Sequence, residues 1–317
     1  SKEIVHTKGL YTTLSRQNIF SKEYFLDVID RNKIEDTLIK INPDYIFHLA
    51  AQSIVSKSYD EPSLTFHTNA IGTMNILDSI KSIEKKINLI MITSDKCYEN
   101  VETFYGYKEI DQLGGKDPYS ASKACAEIIS NCYARSIYNK IDNISIATAR
   151  AGNVIGGGDW SKDRLIPDAV NAWQKQTILK IRNPKSTRPW QHVLEPLRGY
   201  LLLGAFINNN EITKEKLSSI SFNFGPRTDD VIEVQEVIKL FSKFFDNSRY
   251  EFSQIIENTE ASLLNLSFDK SSSILGWYPK LTAQKALKYA AEWYLAQFNG
   301  EDIFDLSIQQ INEYSDL

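Results

Sequence analysis

The chain has 317 residues, 24% of them charged, 42% hydrophobic, and a formal net charge of −4. That length suits one large α/β unit or two closely joined domains, with the composition of a globular protein and no low-complexity tract. The acidic balance argues against a nucleic-acid surface, and no apolar stretch approaches a membrane span, so neither partner is expected. No signal-peptide pattern is visible, which leads us to expect a cytoplasmic protein.

Residues 1–26 contain no apolar strand followed by Gly-x-x-Gly-x-x-Gly, the arrangement with which a Rossmann domain begins. Asp27-Val28-Ile29-Asp30 leads into a predicted helix with Ile34, Leu38 and Ile41 as its stripe and Asp30 as its N-cap. Tyr45–Leu49 reads as a short apolar strand running into Ala50-Ala51-Gln52-Ser53, where small residues let backbone approach a ligand. His48 alternates with apolar neighbours and is expected to be structural. Ala70, Ile71, Met74, Leu77 and Ile80 then give a helical stripe. Ile87–Ile92 is a buried strand that delivers Ser94, Asp95 and Lys96 at its carboxyl end, where open α/β sheets bind ligands.

Pro118 marks the next helix start. That helix is expected to bury Ala121, Ala124, Cys125, Ile128, Ile129 and Cys132. Ile144–Arg150 is another strand, running into Ala151-Gly152-Asn153-Val154. This alternation implies a parallel, doubly wound sheet. Gly156-Gly157-Gly158 is expected to be a flexible hinge into a substrate domain. Arg164, Arg182 and Arg188 suit a bidentate grip on a diphosphate, though each alone reads equally well as a surface ion pair. Leu217–Asn223 reads as a returning strand, followed by helices at Val231–Phe245 and Ala283–Leu295. Cys97, Cys125 and Cys132 are expected to be buried free thiols, not disulfide partners or metal ligands, in a reducing compartment.

Tyr119 and Lys123, four apart, share a helix face. An ammonium beside a phenol favours tyrosinate and lowers a pKa that is normally about 10. Tyr-x-x-x-Lys alone is a weak signal; a hydroxyl residue at a strand end followed by that pair is a stronger one. This order resembles the short-chain dehydrogenase/reductase superfamily in its extended, nucleotide-sugar form. The resemblance sharpens at Thr93-Ser94-Asp95-Lys96-Cys97-Tyr98-Glu99-Asn100, which looks like the active-site signature of CDP-glucose 4,6-dehydratases. Gly114–Lys123, Arg150–Trp160, Arg188–Leu197, Leu275–Pro279 and Gln310–Tyr314 are similar to the same family, so the likeness runs through nearly the whole chain from Asp27. Most related dehydratases carry Asp-Glu where this chain has Asp95-Lys96.

The resemblance implies an α/β fold: a Rossmann-like NAD-binding domain over 1–154 and 188–226, and a nucleotide-sugar domain over 155–187 and 227–317. It implies NAD-dependent conversion of CDP-glucose to CDP-4-keto-6-deoxyglucose and water by internal hydride transfer, in deoxysugar (O-antigen) biosynthesis. Tyr119 would take the C4 hydroxyl proton, Lys123 hold the nicotinamide ribose, and Ser94 bind the hydroxyl being oxidised. Asp95, protonated, would be the acid at C6 and Lys96 the base at C5. Asp27, Val28, Leu49, Ala50 and Ala51 would border the dinucleotide, with Tyr119 and Lys123. Ser53, Asn153, Arg164, Leu165, Arg182, Arg188, His192 and Asn223 would contact the substrate, with no metal. Pairing of the helices around Ala70–Ile80 and Tyr119 would make a homodimer. The family begins with a strand and a glycine-rich turn, so a further segment is expected upstream of Ser1. The alternatives are another nucleotide-sugar dehydratase or 4-epimerase, or a catalytically silent binding protein.

Overall fold

The computed structural model describes residues 8–14, 19–209, 220–227, 230–253 and 263–317. Its centre is a four-stranded sheet of β1 (Tyr45–His48), β2 (Ile87–Ile92), β3 (Ile144–Ala151) and the strand Ser221–Phe224, in that spatial order. Every pairing is parallel, with Phe47 opposite Ile90, Met91 opposite Thr148 and Ala149 opposite Phe222. Parallel strands buried on both faces read as apolar runs, and here alternate residues feed two cores. Leu89 and Met91 join Ile76, Leu77, Ile80, Ile144 and Ile146 on one side. Ile90 joins Ala147, Ala149, Leu203, Phe222, Phe224 and Trp277 on the other. The helices Arg31–Ile41 and Gly72–Ser79 cover the first face, and the helix Leu194–Asn208 covers the second. This is the expected α/β, doubly wound architecture.

A separate apolar cluster lies outside the sheet, around Trp160, Ile166, Trp173, Ile181, Phe241, Leu287, Trp293 and Tyr294. Its elements are the helices Leu165–Gln174, Val234–Phe241 and Ala283–Asn299. Three short strand pairs tie it down: Val154–Ile155 with Gln191–His192, Thr187–Arg188 with Ile232–Glu233, and Leu179–Ile181 with Tyr250–Phe252.

Several expectations need correction. The helix anticipated at Val231–Phe245 begins only at Val234, because Ile232–Glu233 is taken into a strand pair. The glycine run is no hinge: a Cβ on Gly157 would stand 1.9 Å from the Trp293 ring, so glycine is there for close packing. Residues 217–219 of the returning strand lie outside the described residues.

The helix Pro118–Cys132 departs most from its expected pattern. Its inward face is Ser122, Lys123, Ala126, Glu127 and Ser130, while Ile128 is 57% exposed and Cys132 is exposed. Cys125 is half-buried, and only Cys97 is buried among the three free cysteines. The polar face is bought by an internal ion pair: Arg150 Nη2 lies 2.7 Å from Glu127 Oε2, both side chains almost wholly excluded from solvent. Thr148 and Ser221 donate to the same carboxylate oxygen, Thr93 to the other, and Arg150 Nη1 donates to the Tyr98 hydroxyl at 2.7 Å. Burial alone would raise the Glu127 carboxyl. The Arg150 guanidinium and the hydroxyl donors outweigh it and hold the pKa below the ordinary range. A depressed carboxyl pKa means the stabilisation is complete at neutral pH and is lost on acidification. Glu127→Ala strands a buried guanidinium and is expected to cost about 3–5 kcal/mol, readable as a fall in the urea midpoint.

Candidate active site

The carboxyl end of β2 carries the chemistry. Ser94 caps the short turn Asp95–Cys97, its Oγ accepting from the Lys96 N–H at 3.2 Å. Ser94 Oγ also donates to Asp95 Oδ1 at 2.9 Å. Asp95 is 1% exposed, and its Oδ2 has no hydrogen-bond partner among the described residues. Burial raises its carboxyl above the usual range, with Lys96, Ser94 and Arg188 opposing. That raised value is what an acid held neutral requires. Gly152 makes room for it, since a Cβ there would fall 2.0 Å from Asp95 Oδ2.

Tyr119 enters from the first turn of its helix, which Asp117 caps by accepting from the Ser120 N–H at 2.9 Å. The Tyr119 N–H donates to Ser58 Oγ at 3.2 Å, and the phenol hydrogen-bonds Ser94. Burial pushes the phenol up to about 12, against the Ser94 bond and the Arg164 charge. Lys123, expected to lower the phenol, is not among its largest influences. Lys123 Nζ instead donates to the Ile92 carbonyl at 3.3 Å, and burial lowers its pKa to about 8.

Ser94, Asp95, Lys96 and Tyr119 share one cavity of about 610 Å³. Ser53, Asn153, Arg164, Leu165, Arg182 and Arg188 line it too, so six of the eight expected substrate contacts converge with the chemistry. The other two do not. His192 is buried behind the wall, its ring 5.5 Å from that of Tyr289, and burial lowers its pKa to about 4. Asn223 is fully buried, accepting from the Tyr98 hydroxyl and donating to the Tyr107 carbonyl, each at 2.8 Å. Arg164 is already committed, pairing with Asp159 at 2.8 Å and donating to Ser53 Oγ at 3.2 Å. Asn153, Asp163 and Asn183 hold positive φ angles of 39°, 63° and 46° on the cavity wall, a conformation Asn and Asp tolerate best.

The residues expected along the dinucleotide are more scattered. Leu49 is 54% exposed just past β1, with Ala50 and Ala51 half-buried beside it. The loop is pinned by Asn69, which accepts from the Gln52 N–H at 2.8 Å and donates to the Gln52 carbonyl and Ser122 Oγ. Asn69 sits in a π-helical turn, His67–Ile71, which the sequence gives no means of seeing. Asp27 accepts from the Ile29 N–H at 3.1 Å, and the Val28 carbonyl accepts from Asn75 at 2.9 Å. His48 is buried and lowered by burial to about 3, in keeping with its structural reading.

Sequence reasoning missed Glu127, hidden by the search for an apolar stripe, and Asp159, Asp163 and Asp168 on the cavity wall. Asp168 lies one helical turn after Arg164, and that spacing was the available signal.

A doubly wound parallel sheet with Ser, Tyr and Lys gathered at its carboxyl edge defines a Rossmann-type enzyme of the epimerase and dehydratase kind. Solved structures share the fold: a UDP-glucuronic acid 4-epimerase from Bacillus cereus has a TM-score of 0.73 at 19% identity, over 92% of this chain and 88% of that one. The chain belongs to the GDP-mannose 4,6-dehydratase family, whose model matches residues 11–289. It is 37% identical to the CDP-glucose 4,6-dehydratase of Salmonella typhimurium over 94% of this chain and 84% of the relative. The UDP-glucose 4-epimerase of Mycoplasma genitalium is 27% identical over 68% and 66% of the two chains.

Proposed function

We propose that the protein is an NAD-dependent CDP-glucose 4,6-dehydratase. The observation that carries this is the Asp95-Lys96 pair standing in one cavity with Ser94 and Tyr119, in a chain 37% identical to a CDP-glucose 4,6-dehydratase. An epimerase uses a serine, a tyrosine and a lysine but has no step for an added acid and base. NAD, when bound, accepts the C4 hydride and returns it to C6. Lys123, Leu49, Ala50 and Ala51 fit its nicotinamide end, because Lys123 is a buried cation one helical turn from Tyr119 and the loop after β1 is tied to the same helix through Asn69 and Ser122. Asp27 and Val28 would lie toward its other end.

In this reading Ser94 orients the C4 hydroxyl and Tyr119 takes its proton. Lys96 then removes the C5 hydrogen, acidified by the C4 ketone, and Asp95 protonates the departing C6 hydroxyl. Arg188 and Arg182 take the diphosphate, with Arg164 reorienting from Asp159 to share it. The segments 155–187 and 227–317 form the nucleotide-sugar domain against a Rossmann domain of 1–154 and 188–226. Incubation with CDP-glucose and NAD is expected to give CDP-4-keto-6-deoxyglucose; recovery of CDP-galactose would support the epimerase instead.

The same reading places the protein in the cytoplasm, feeding deoxysugars to O-antigen-type polysaccharide. Three free thiols suit that compartment, and among the described residues no helix is long and apolar enough to cross a membrane. A homodimer is part of it: Leu64, Ile71 and Ile128 expose apolar side chains on neighbouring helices, a face that a second copy would cover. Light scattering is expected to give twice the chain mass, and Ile128→Glu the monomer mass. A wild-type monomer at micromolar concentration refutes the dimer.

A further inference from the structure

The strand β3 and its neighbour Ser221–Phe224 share their last rung at Ala151 and Phe224. Just past it, buried carbonyls need donors from outside the ladder. One side-chain amide serves two of them. Gln191 Nε2 donates to the Phe224 carbonyl at 2.8 Å and to the Gly152 carbonyl at 3.2 Å. The Gln191 N–H donates to the Asn153 carbonyl at 3.3 Å, so one residue holds two successive peptides of the turn that leaves β3. Gln191 is 3% exposed and is not among the residues lining the cavity. An uncharged amide with two N–H donors suits the place; a carboxylate only accepts.

Gly152 is where that hold meets the chemistry. A Cβ there would stand 2.0 Å from Asp95 Oδ2, 2.4 Å from the carboxyl carbon and 3.1 Å from Asp95 Cβ. The backbone at Gly152 therefore lies directly against the Asp95 carboxyl. Ser94 holds one oxygen of that carboxyl, and the other, Oδ2, is shut from solvent with no partner among the described residues. A carboxyl enclosed in this way keeps its proton, whereas water admitted beside Oδ2 would stabilise the anion.

We propose that Gln191 is a positioning residue for the acid step, clamping Gly152 over the Asp95 carboxyl and so keeping that group in place and dry. The assignment rests on the dehydratase reading and adds to it a residue outside the cavity on which the acid depends. In that step the C5 proton passes to Lys96, the C6–O bond breaks, and the Asp95 proton goes to the departing oxygen, which leaves as water. With fluorine in place of the C6 hydroxyl, fluoride leaves as a stable anion and needs no proton. A fault in the acid therefore slows CDP-glucose and spares CDP-6-deoxy-6-fluoroglucose. A general disturbance of the site slows both.

The test measures elimination from both substrates in single turnovers by the wild type, Gln191→Met and Gly152→Ala. Gln191→Met keeps the length of the side chain and removes both donors; Gly152→Ala pushes on Asp95 from the same side. In each variant the rate on CDP-glucose is expected to fall about ten- to a hundredfold relative to the rate on the fluoro substrate, the scale of a misplaced group. Gln191→Asn, which keeps the amide and loses reach, is run as the milder change should Gln191→Met fail to fold. Equal losses on the two substrates, no loss on either, or failure of both Gln191 variants to fold makes Gln191 a residue of the fold alone and overturns the assignment. A ratio that shifts in Gly152→Ala but not in the Gln191 variants overturns it as well. Each of these leaves the dehydratase reading intact, whereas no elimination from CDP-glucose by the wild type overturns both.

Discussion

Tyr119→Phe is expected to lower kcat for dehydration by about 10²–10⁴-fold, the usual contribution of a positioned general base. The substitution removes one oxygen from a ring that is 7% exposed and keeps the packing, so the fold should survive. What disappears is the group hydrogen-bonded to Ser94 that would take the C4 hydroxyl proton. Burial sets the phenol at about 12, so its proton must be drawn off by charge arriving with the ligands, and the positive nicotinamide ring supplies charge of the right sign. The variant should bind CDP-glucose with nearly unchanged affinity by calorimetry. A kcat within threefold of wild type, taking about half a log unit as the limit of a spectator's effect, would remove Tyr119 from the chemistry.

Lys96→Met is expected to separate oxidation from elimination. In heavy water, deuterium uptake at C5 and loss of water from CDP-glucose should fall by about 10²–10⁴-fold, while removal of the C4 hydrogen continues. The neighbouring Asp95 is buried, and burial raises its carboxyl above the usual range, which suits it to the acid role at C6 beside Lys96. Undiminished C5 exchange in Lys96→Met would move the base to Tyr119 or a water.

The sheet was legible because its strands are short, mostly apolar segments such as Ile87–Ile92, and the helix Gly72–Ser79 between two of them carries an apolar stripe. Ser94, Asp95, Lys96 and Tyr119 were legible because strand ends and helix starts fix where side chains emerge. The Pro118–Cys132 helix misled because its sheet-facing side is polar. Glu127 is stabilised there by Arg150 from 23 residues away in sequence, and no local pattern announces such a partner. His192 and Asn223 came from likeness to a family; their burial depends on how Tyr289, Tyr98 and Tyr107 pack around them. Arg164 was expected to be available for phosphate, but its pairing with Asp159 and Ser53 depends on a fold that brings residues 53 and 164 together.

The central claim is that one site moves hydrogen from C4 to C6 of a CDP-linked glucose while water leaves. Its most direct test is CDP-glucose carrying deuterium at C4, incubated with the purified protein and NAD and read by NMR. The account predicts CDP-4-keto-6-deoxyglucose with the deuterium in the new C6 methyl group. CDP-galactose with deuterium still at C4, or a methyl group labelled only from solvent, would contradict it.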